Sequence, residues 1–385
     1  MFSLKRRSII GTGVMFASNG ALFASLLPWY PTLMRSWGLT EATFGLIVAC
    51  FPLGSILSAA VPAPIVKRFG PRATVVAGTV AMAAILTAGG GVSSGWALAG
   101  LLLVLGFLDP IVDVAQNVTA VRVQDAVGFS IMSSVHAAWS LGAASGGALA
   151  AMAVGKLPLA LHLGLAATAV TAVALLGTML VGPVPAPEED TDQQQSTSTK
   201  RAILLVIPIV AIAIGGAVVE EVASNWAALA AHQLAGVPLS ATGIALSLML
   251  TAQCVGRFAG DPMINRWGRV AVARVGGVLI AVGGIIAISS TAPLPLFIGF
   301  VLAGFGCATI VPSAFVAAAR IPGISEGAGL TMVSWLMRIG FLTASPVIGA
   351  VASASSLRVA LGIVVLGGVT IMALSPQLAG SGKDR

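Results

Sequence analysis

Apolar residues fill this chain in long uncharged blocks, separated by short polar and basic breaks. The block from Ser8 to Met34 carries no charge. It is too long for a signal-peptide core and fits a helix crossing a bilayer, for which about 20 apolar residues suffice. It predicts helix 1 over about 9–34, with Trp29-Tyr30-Pro31 near its outer end. Helix 2 follows over about 43–66 and ends at Lys67-Arg68-Phe69-Gly70-Pro71-Arg72. The uncharged run Ala73–Leu108 is too long for one crossing, so Ser93-Ser94-Gly95 divides it into helices 3 and 4. A basic turn at Arg122 leads to helix 5, about 127–153, and Lys156-Leu157-Pro158 leads to helix 6, about 158–181.

Composition then shifts. Pro183–Thr199 is polar, acidic and Pro-containing, which reads as a disordered linker. Helix 7 starts at Ala202 and carries Glu220, Glu221, Asn225 and Trp226 toward its far end. Helix 8 covers about 240–262. The uncharged run Val275–Ala319 is split at Thr291–Pro295 into helices 9 and 10. Helix 11, about 327–352, contains Trp335 and Arg338, and helix 12 covers about 357–375. The expected architecture is all-α and membrane-integral. Twelve transmembrane helices form a six-helix bundle over 1–182, a cytoplasmic linker over 183–201 and a second bundle over 202–385.

Composition agrees. The chain is 57% hydrophobic and 9% charged, with a mean hydropathy of +1.00, whereas soluble domains carry about 25% charged residues. The net charge of +7 does not point to nucleic acid, because the basic residues sit in breaks between apolar runs without polar or aromatic interleaving. With both termini inside, fifteen of the twenty Lys and Arg fall in cytoplasmic segments. Arg35, Lys156 and Arg358 fall outside, and Arg257 and Arg338 lie within helices. This is the positive-inside pattern. Cys50, Cys254 and Cys307 are isolated in apolar runs, with no spacing for a metal or a disulfide framework. No phosphate loop of the GxxxxGK[ST] type occurs, so no cofactor, metal or ATP-driven step is expected.

Polar residues inside the apolar blocks carry the candidate chemistry, since a charge at the bilayer centre costs about 2.5–3.5 kcal/mol on insertion scales. Asp109, Asp113 and Asn117 are spaced four apart and share one helix face. His136, Trp139 and Ser140 share a face of the next helix. A carboxylate in a partly desolvated cavity can take up a proton near neutral pH, which makes Asp113 the leading candidate for proton coupling, with Glu220 second and Asp109 third. Asp109 precedes Pro110, so satisfying backbone donors freed there is its competing role. Glu220 and Glu221 project about 100° apart and cannot face one cavity equally. Arg338, beside Trp335, is suited to an anionic group or to pairing with Asp113 or Glu220. His136 is suited to proton transfer or to a neutral interhelical hydrogen bond. Asn19, Asn117, His136, Trp139, Asn225, Trp226, Trp335 and Arg338 are the candidate substrate contacts.

The two halves echo each other: Arg68-Phe69-Gly70 and Arg266-Trp267-Gly268 stand 198 residues apart. Internal repeats of this kind are a mark of secondary transporters. The two sixes, the linker and these turns resemble the major facilitator superfamily over nearly the whole chain. In that family the turn between helices 2 and 3 reads GxxxDRxGRR. Arg68, Gly70 and Arg72 fit it, with Lys67 in the place of the Asp and Asn265 holding that place in the second half. The resemblance implies a gating role for Arg68, Gly70, Arg72, Arg266 and Gly268, with Arg257 and Asp261, one turn apart, as a substitute charge pair. The runs Asp113-Val114-Ala115-Gln116-Asn117 and His136-Ala137-Ala138-Trp139-Ser140-Leu141-Gly142 resemble the branch of fucose-type permeases and YbjJ-like inner-membrane proteins. Asn225 stands where that branch has Asp. Gly142–Gly147 resembles the GPxxGG motif of drug/proton antiporters, with Ala143 for Pro, and its small residues suit close helix packing.

These features favour a secondary active transporter of a small polar organic solute, a sugar or metabolite. It is expected to be proton-coupled (sodium being the other coupling ion), monomeric, and embedded in the lipid bilayer of the bacterial inner membrane with both termini cytoplasmic. The alternatives are proton-driven efflux of a drug or natural product and, in a different class, a transport-incompetent sensor or scaffold. An enzyme is disfavoured, because no nucleophile–base pair stands out.

Overall fold

The computed structural model describes residues 2–39, 41–182, 199–238, 243–322 and 324–379, and these are helical with short connections. The long helices are α1 (Phe2–Ala24), α2 (Glu41–Leu57), α3 (Pro71–Ala88), α4 (Gly95–Val127), α5 (Met132–Ala153) and α6 (Leu159–Val181). After them come α7 (Thr199–Glu221), α8 (Gly243–Trp267), α9 (Arg269–Ser289), α10 (Pro293–Cys307), α11 (Glu326–Ala354) and α12 (Gly362–Leu374). Among the described residues nine helical stretches are long and apolar enough to cross a membrane, and a bent pair, Leu46–Leu57 with Pro62–Phe69, makes ten. α5 and α8, at 22 and 25 residues, also have the length. Large apolar side chains such as Leu149, Met179, Leu204 and Leu366 are exposed, as expected of a surface solvated by lipid and not of a soluble monomer.

The chain divides into two compact units. One comprises Met1–Ile131 and Val135–Glu189, the other Met132–Ser134 and Asp190–Arg385. Most of the linker read at 183–201 lies outside the described residues. The core of the first unit is built from Leu22, Leu26, Trp29, Ile47, Met82, Leu86, Leu98, Leu102 and Leu163, drawn from α1, α2, α3, α4, α6 and the turn at Trp29. In the second unit Ile212, Met249, Ile280, Leu296 and Ile310 are fully buried.

Several element boundaries differ from the sequence expectation, each for a local reason. Helix 1 ends at Ala24; a 3₁₀ turn, Leu27–Trp29, and a short helix, Tyr30–Ser36, follow, because Pro28 and Pro31 cannot continue the amide ladder. Helix 2 breaks at Leu57 and resumes at Pro62–Phe69 with a bend of 58°, for the same reason at Pro62. Arg122 lies inside α4 instead of in a turn, and the chain reverses at Gly128, whose φ of +83° closes the helix. Helix 8 accepts Pro262 and runs on to Trp267. Helix 10 breaks at Cys307 and resumes as Ile310–Ala319, two residues before Pro312. The turn at Ser93-Ser94-Gly95 stands as read, with the Ser94 hydroxyl accepting the N–H of Ala97 at 3.2 Å as a helix cap.

Candidate functional site

In the first unit, small residues set how closely α1 and α5 approach. A Cβ at Gly20 would strike the backbone of Trp139, one at Gly142 the carbonyl of Ala17, and one at Gly146 the carbonyl of Ala21. The antiporter-like glycines therefore act as a packing seam. Gln116 of α4, 1% exposed, adds a cross-tie by donating to the Met15 carbonyl at 2.9 Å.

This packing brings the polar faces together. The Asn117 amide donates to Asp113 Oδ1 at 3.0 Å and to the Asp113 backbone carbonyl at 2.9 Å. Its Oδ1 lies 3.3 Å from His136 Nε2, so the amide bridges carboxylate and imidazole with its donor toward one and its acceptor toward the other. Phe16 packs on the His136 ring at 5.3 Å. One turn along α5, Trp139 Nε1 donates to Asn19 Oδ1 at 2.8 Å, and Phe23 lies 5.9 Å from the indole. Asp113, Asn117, His136, Trp139 and Asn19 thus form two hydrogen-bonded groups on α1, α4 and α5. Asp109 sits one turn before Asp113 on α4, half-buried.

The second unit holds another cluster. Glu220 at the end of α7 forms an ion pair with Arg257 of α8 at 2.7 Å and accepts a hydrogen bond from the buried Gln253. Gln253 also approaches Cys307 Sγ at 3.5 Å. The neighbouring Glu221 turns to α11 instead, accepting from Asn225 at 2.7 Å and from the Ser345 hydroxyl, which in turn accepts Trp226 Nε1 at 3.1 Å. The two carboxylates do diverge, as their spacing requires. Both precede a π-helical turn, Val222–Trp226, a distortion that often marks functional sites. Trp335 and Arg338 lie one turn apart on α11, both half-buried.

The candidate gating residues occupy matched turns. Gly70 (φ 76°, ψ 156°) joins the Pro62–Phe69 helix to α3, and Gly268 (φ 79°, ψ 155°) joins α8 to α9. The Arg68 guanidinium lies over Phe69 at 5.4 Å, and that of Arg266 over Trp267 at 5.7 Å. Arg72 donates to the Thr178 carbonyl near the end of α6, and Arg274 donates to the Ser375 hydroxyl just beyond α12. Asp261 is buried, and its two oxygens accept the N–H groups of Ser133 at 3.1 Å and Ser134 at 2.6 Å, residues that cluster with the second unit. Those donors belong to the first turn of α5 and have no partner within their own helix.

Gln253, which donates to Glu220, and the aromatic wall of Phe16 and Phe23 were not singled out in the sequence, and Gln116, which ties α4 to α1, stood there only as part of the Asp113–Asn117 run. An uncharged amide in an apolar run was the available signal for the glutamines.

Residues 10–238 match the sequence profile of the Major Facilitator Superfamily. An uncharacterized MFS-type transporter of Yersinia pestis is 28% identical over 369 residues, covering 94% of each chain. An uncharacterized transporter of Sinorhizobium fredii is 30% identical over 381 residues, covering 96% of this chain and 97% of its own. Among solved structures, FucP in its outward conformation (the fucose:proton symporter of E. coli) superposes with a TM-score of 0.80 at 16% identity, covering 97% of this chain and 99% of its own. A match over more than half of the chain, with relatives aligned nearly end to end, places these two clusters in a multi-pass membrane transporter: the chain belongs to the major facilitator superfamily.

Proposed function

We propose that this transporter moves a small polar organic solute, a sugar or a metabolite, across the bacterial inner membrane by alternating access and in company with protons. In this reading it acts as a monomer with both termini cytoplasmic, the orientation the basic residues favour. The observation that carries the reading is the line Asp113–Asn117–His136. A carboxylate on a membrane-crossing helix is costly while charged, and protonation removes that cost. Asn117 keeps its bond to Asp113 in either state, because a protonated carboxyl retains acceptor capacity. Asp113 thus changes charge without losing its position, which is what a coupling group requires.

Beside it, Trp139 and Phe23 offer aromatic faces, with Asn19, Asn117 and His136 as polar edges. This combination suits a ring with one apolar face and peripheral hydroxyls. Glu220 is the second coupling candidate, with its negative charge held by Arg257. Trp335, Arg338, Asn225 and Trp226 are the substrate contacts assigned to the second unit. FucP, named a fucose:proton symporter, supports the choice of substrate class through a shared fold.

The test uses the purified chain in proteoliposomes loaded with a pH-reporting dye, screened against sugars and small metabolites. The expected result is substrate-dependent proton entry that Asp113→Asn abolishes while substrate counterflow persists. Proton entry unchanged in Asp113→Asn, or uptake driven by a sodium gradient alone, would overturn the reading.

A further inference from the structure

A cavity lined by none of these cluster residues lies in the first unit. It has a volume of about 790 Å³, with α1 contributing one side and α5 and α6 the others. This is within the range of about 300–1,000 Å³ typical of ligand pockets. Its rims are exposed apolar side chains, Leu149 and Met152 from α5 and Leu165 and Val173 from α6. The hydroxyls that line it make no demand on a ligand. Ser18 donates to the Met15 carbonyl, Ser25 to that of Ala21 and Ser145 to that of Leu141, each to a carbonyl three or four residues back. His162, also in the lining, approaches the Ser25 carbonyl through Nε2 at 3.1 Å. A polar solute would find little to bond. A hydrocarbon chain would find a matched wall.

The dimensions narrow the occupant further. Along α5 the lining runs from Leu141 to Ala153, and along α6 from His162 to Val173. At 1.5 Å per residue these are about 18 Å and 17 Å, close to one leaflet of a hydrocarbon core about 30 Å thick. The α5–α6 connection lies at the end of the groove and places Lys156 there, an exposed cation within the lining. An apolar slot about one leaflet long, ending in a cation where the helices emerge, matches an amphiphile with a hydrocarbon tail and an anionic head.

We propose that this groove is a binding site for an anionic phospholipid of the leaflet into which the α5–α6 connection emerges. Its acyl chain lies between α5 and α6 and its phosphate pairs with Lys156. The proposal does not depend on the transported substrate, and its test reads lipid retention rather than transport.

The full chain is purified in mild detergent, presented with phosphatidylglycerol or phosphatidylcholine of identical acyl chains, and its retained lipid counted by native mass spectrometry. Phosphatidylglycerol is expected to be retained preferentially. Lys156→Gln should reduce its retention about fivefold, the factor for one cation near a lipid headgroup, and leave phosphatidylcholine unaffected. Ala169→Trp, which fills the groove from α6, should reduce both lipids. Arg35→Gln removes a cation outside the groove and should change neither. The proposal is overturned if Lys156→Gln keeps the preference, if Arg35→Gln lowers it equally, or if a folded Ala169→Trp retains both lipids. Lys156 is exposed on a connection, so its substitution leaves the fold intact and decides the matter even where the tryptophan variant fails to fold.

Discussion

Gly70 and Gly268, 198 residues apart, adopt the same backbone conformation to within 3° in φ and 1° in ψ. That region of positive φ with extended ψ is essentially closed to residues with a Cβ. Each glycine ends one helix with its own N–H, bonded to Val66 or Ile264 at 2.9 and 2.8 Å, and starts the next through its carbonyl. The two units thus share a turn geometry as well as a motif. Gly70→Ala and Gly268→Ala should each lower stability by about 1–3 kcal/mol, and by similar amounts, in thermal melts of the purified protein. A large effect at one turn with none at the other would break the equivalence.

Glycines inside the helices, such as Gly142 and Gly164, act by space and not by conformation, and their signs should differ. Gly142→Ala drives a methyl into the Ala17 carbonyl, whereas a Cβ at Gly164 of α6 meets nothing within 4 Å. Gly142→Ala should therefore force α1 and α5 apart and lower the melting temperature. Gly164→Ala should be neutral or raise stability by up to about 1 kcal/mol, the helix-propensity difference between the two residues. A paired melting experiment in one detergent separates the two.

These contrasts show what a sequence can reveal of such a protein. The all-helical membrane architecture was legible because uncharged runs and basic breaks are set by the bilayer itself. The matched turns were legible because only glycine fits them. The seam at Gly142–Gly147 was visible as a run of small residues. The breaks at Pro28 and Pro62 were underestimated because hydropathy does not register a missing amide donor. Arg122 misled because a basic residue in the last turns of a helix looks like a loop residue. Shared faces of Asp113 with Asn117 and of His136 with Trp139 followed from periodicity. That Asn117 bridges to His136, or that Arg257 reaches Glu220 across 37 residues of sequence, depends on which helices become neighbours, and periodicity does not carry that.

The Glu220–Arg257 pair gives a test of coupling within the second unit. Its side chains are only 26% and 14% exposed, so removing one partner leaves the other without this counter-ion in a poorly hydrated place. Glu220→Gln and Arg257→Gln should each destabilise the protein. The double variant should be less destabilised than the sum, with a coupling of about 0.5–3 kcal/mol. Full additivity in a double-mutant melting cycle would show that the pair contributes no mutual energy.

Asp261 spends both carboxylate oxygens on the N–H groups of Ser133 and Ser134. Asn in its place has one acceptor oxygen, and its NH₂ would face a donor. Asp261→Asn should cost about 1–2 kcal/mol, in the range of a lost helix cap, and should raise amide exchange over residues 133–134 before it affects the rest of α5. Hydrogen-exchange mass spectrometry reads this directly. Unchanged protection at those amides would mean that the carboxylate is not their essential acceptor.

Trp139 and Asn19 separate a structural bond from a substrate contact. Trp139→Phe keeps an aromatic face but removes the indole N–H, leaving the Oδ1 of a residue only 7% exposed without that donor. A buried acceptor left in this way costs about 1–3 kcal/mol, so stability should fall. Adding Asn19→Leu removes the stranded acceptor and should recover part of the loss. If the indole face also stacks on a ring-shaped substrate, Trp139→Phe should raise KM modestly. Trp139→Ala should raise it far more, by an amount its stability loss does not predict. Transport kinetics alongside melting curves for the three variants settle which role dominates: KM values that merely track stability would confine Trp139 to holding α1 against α5.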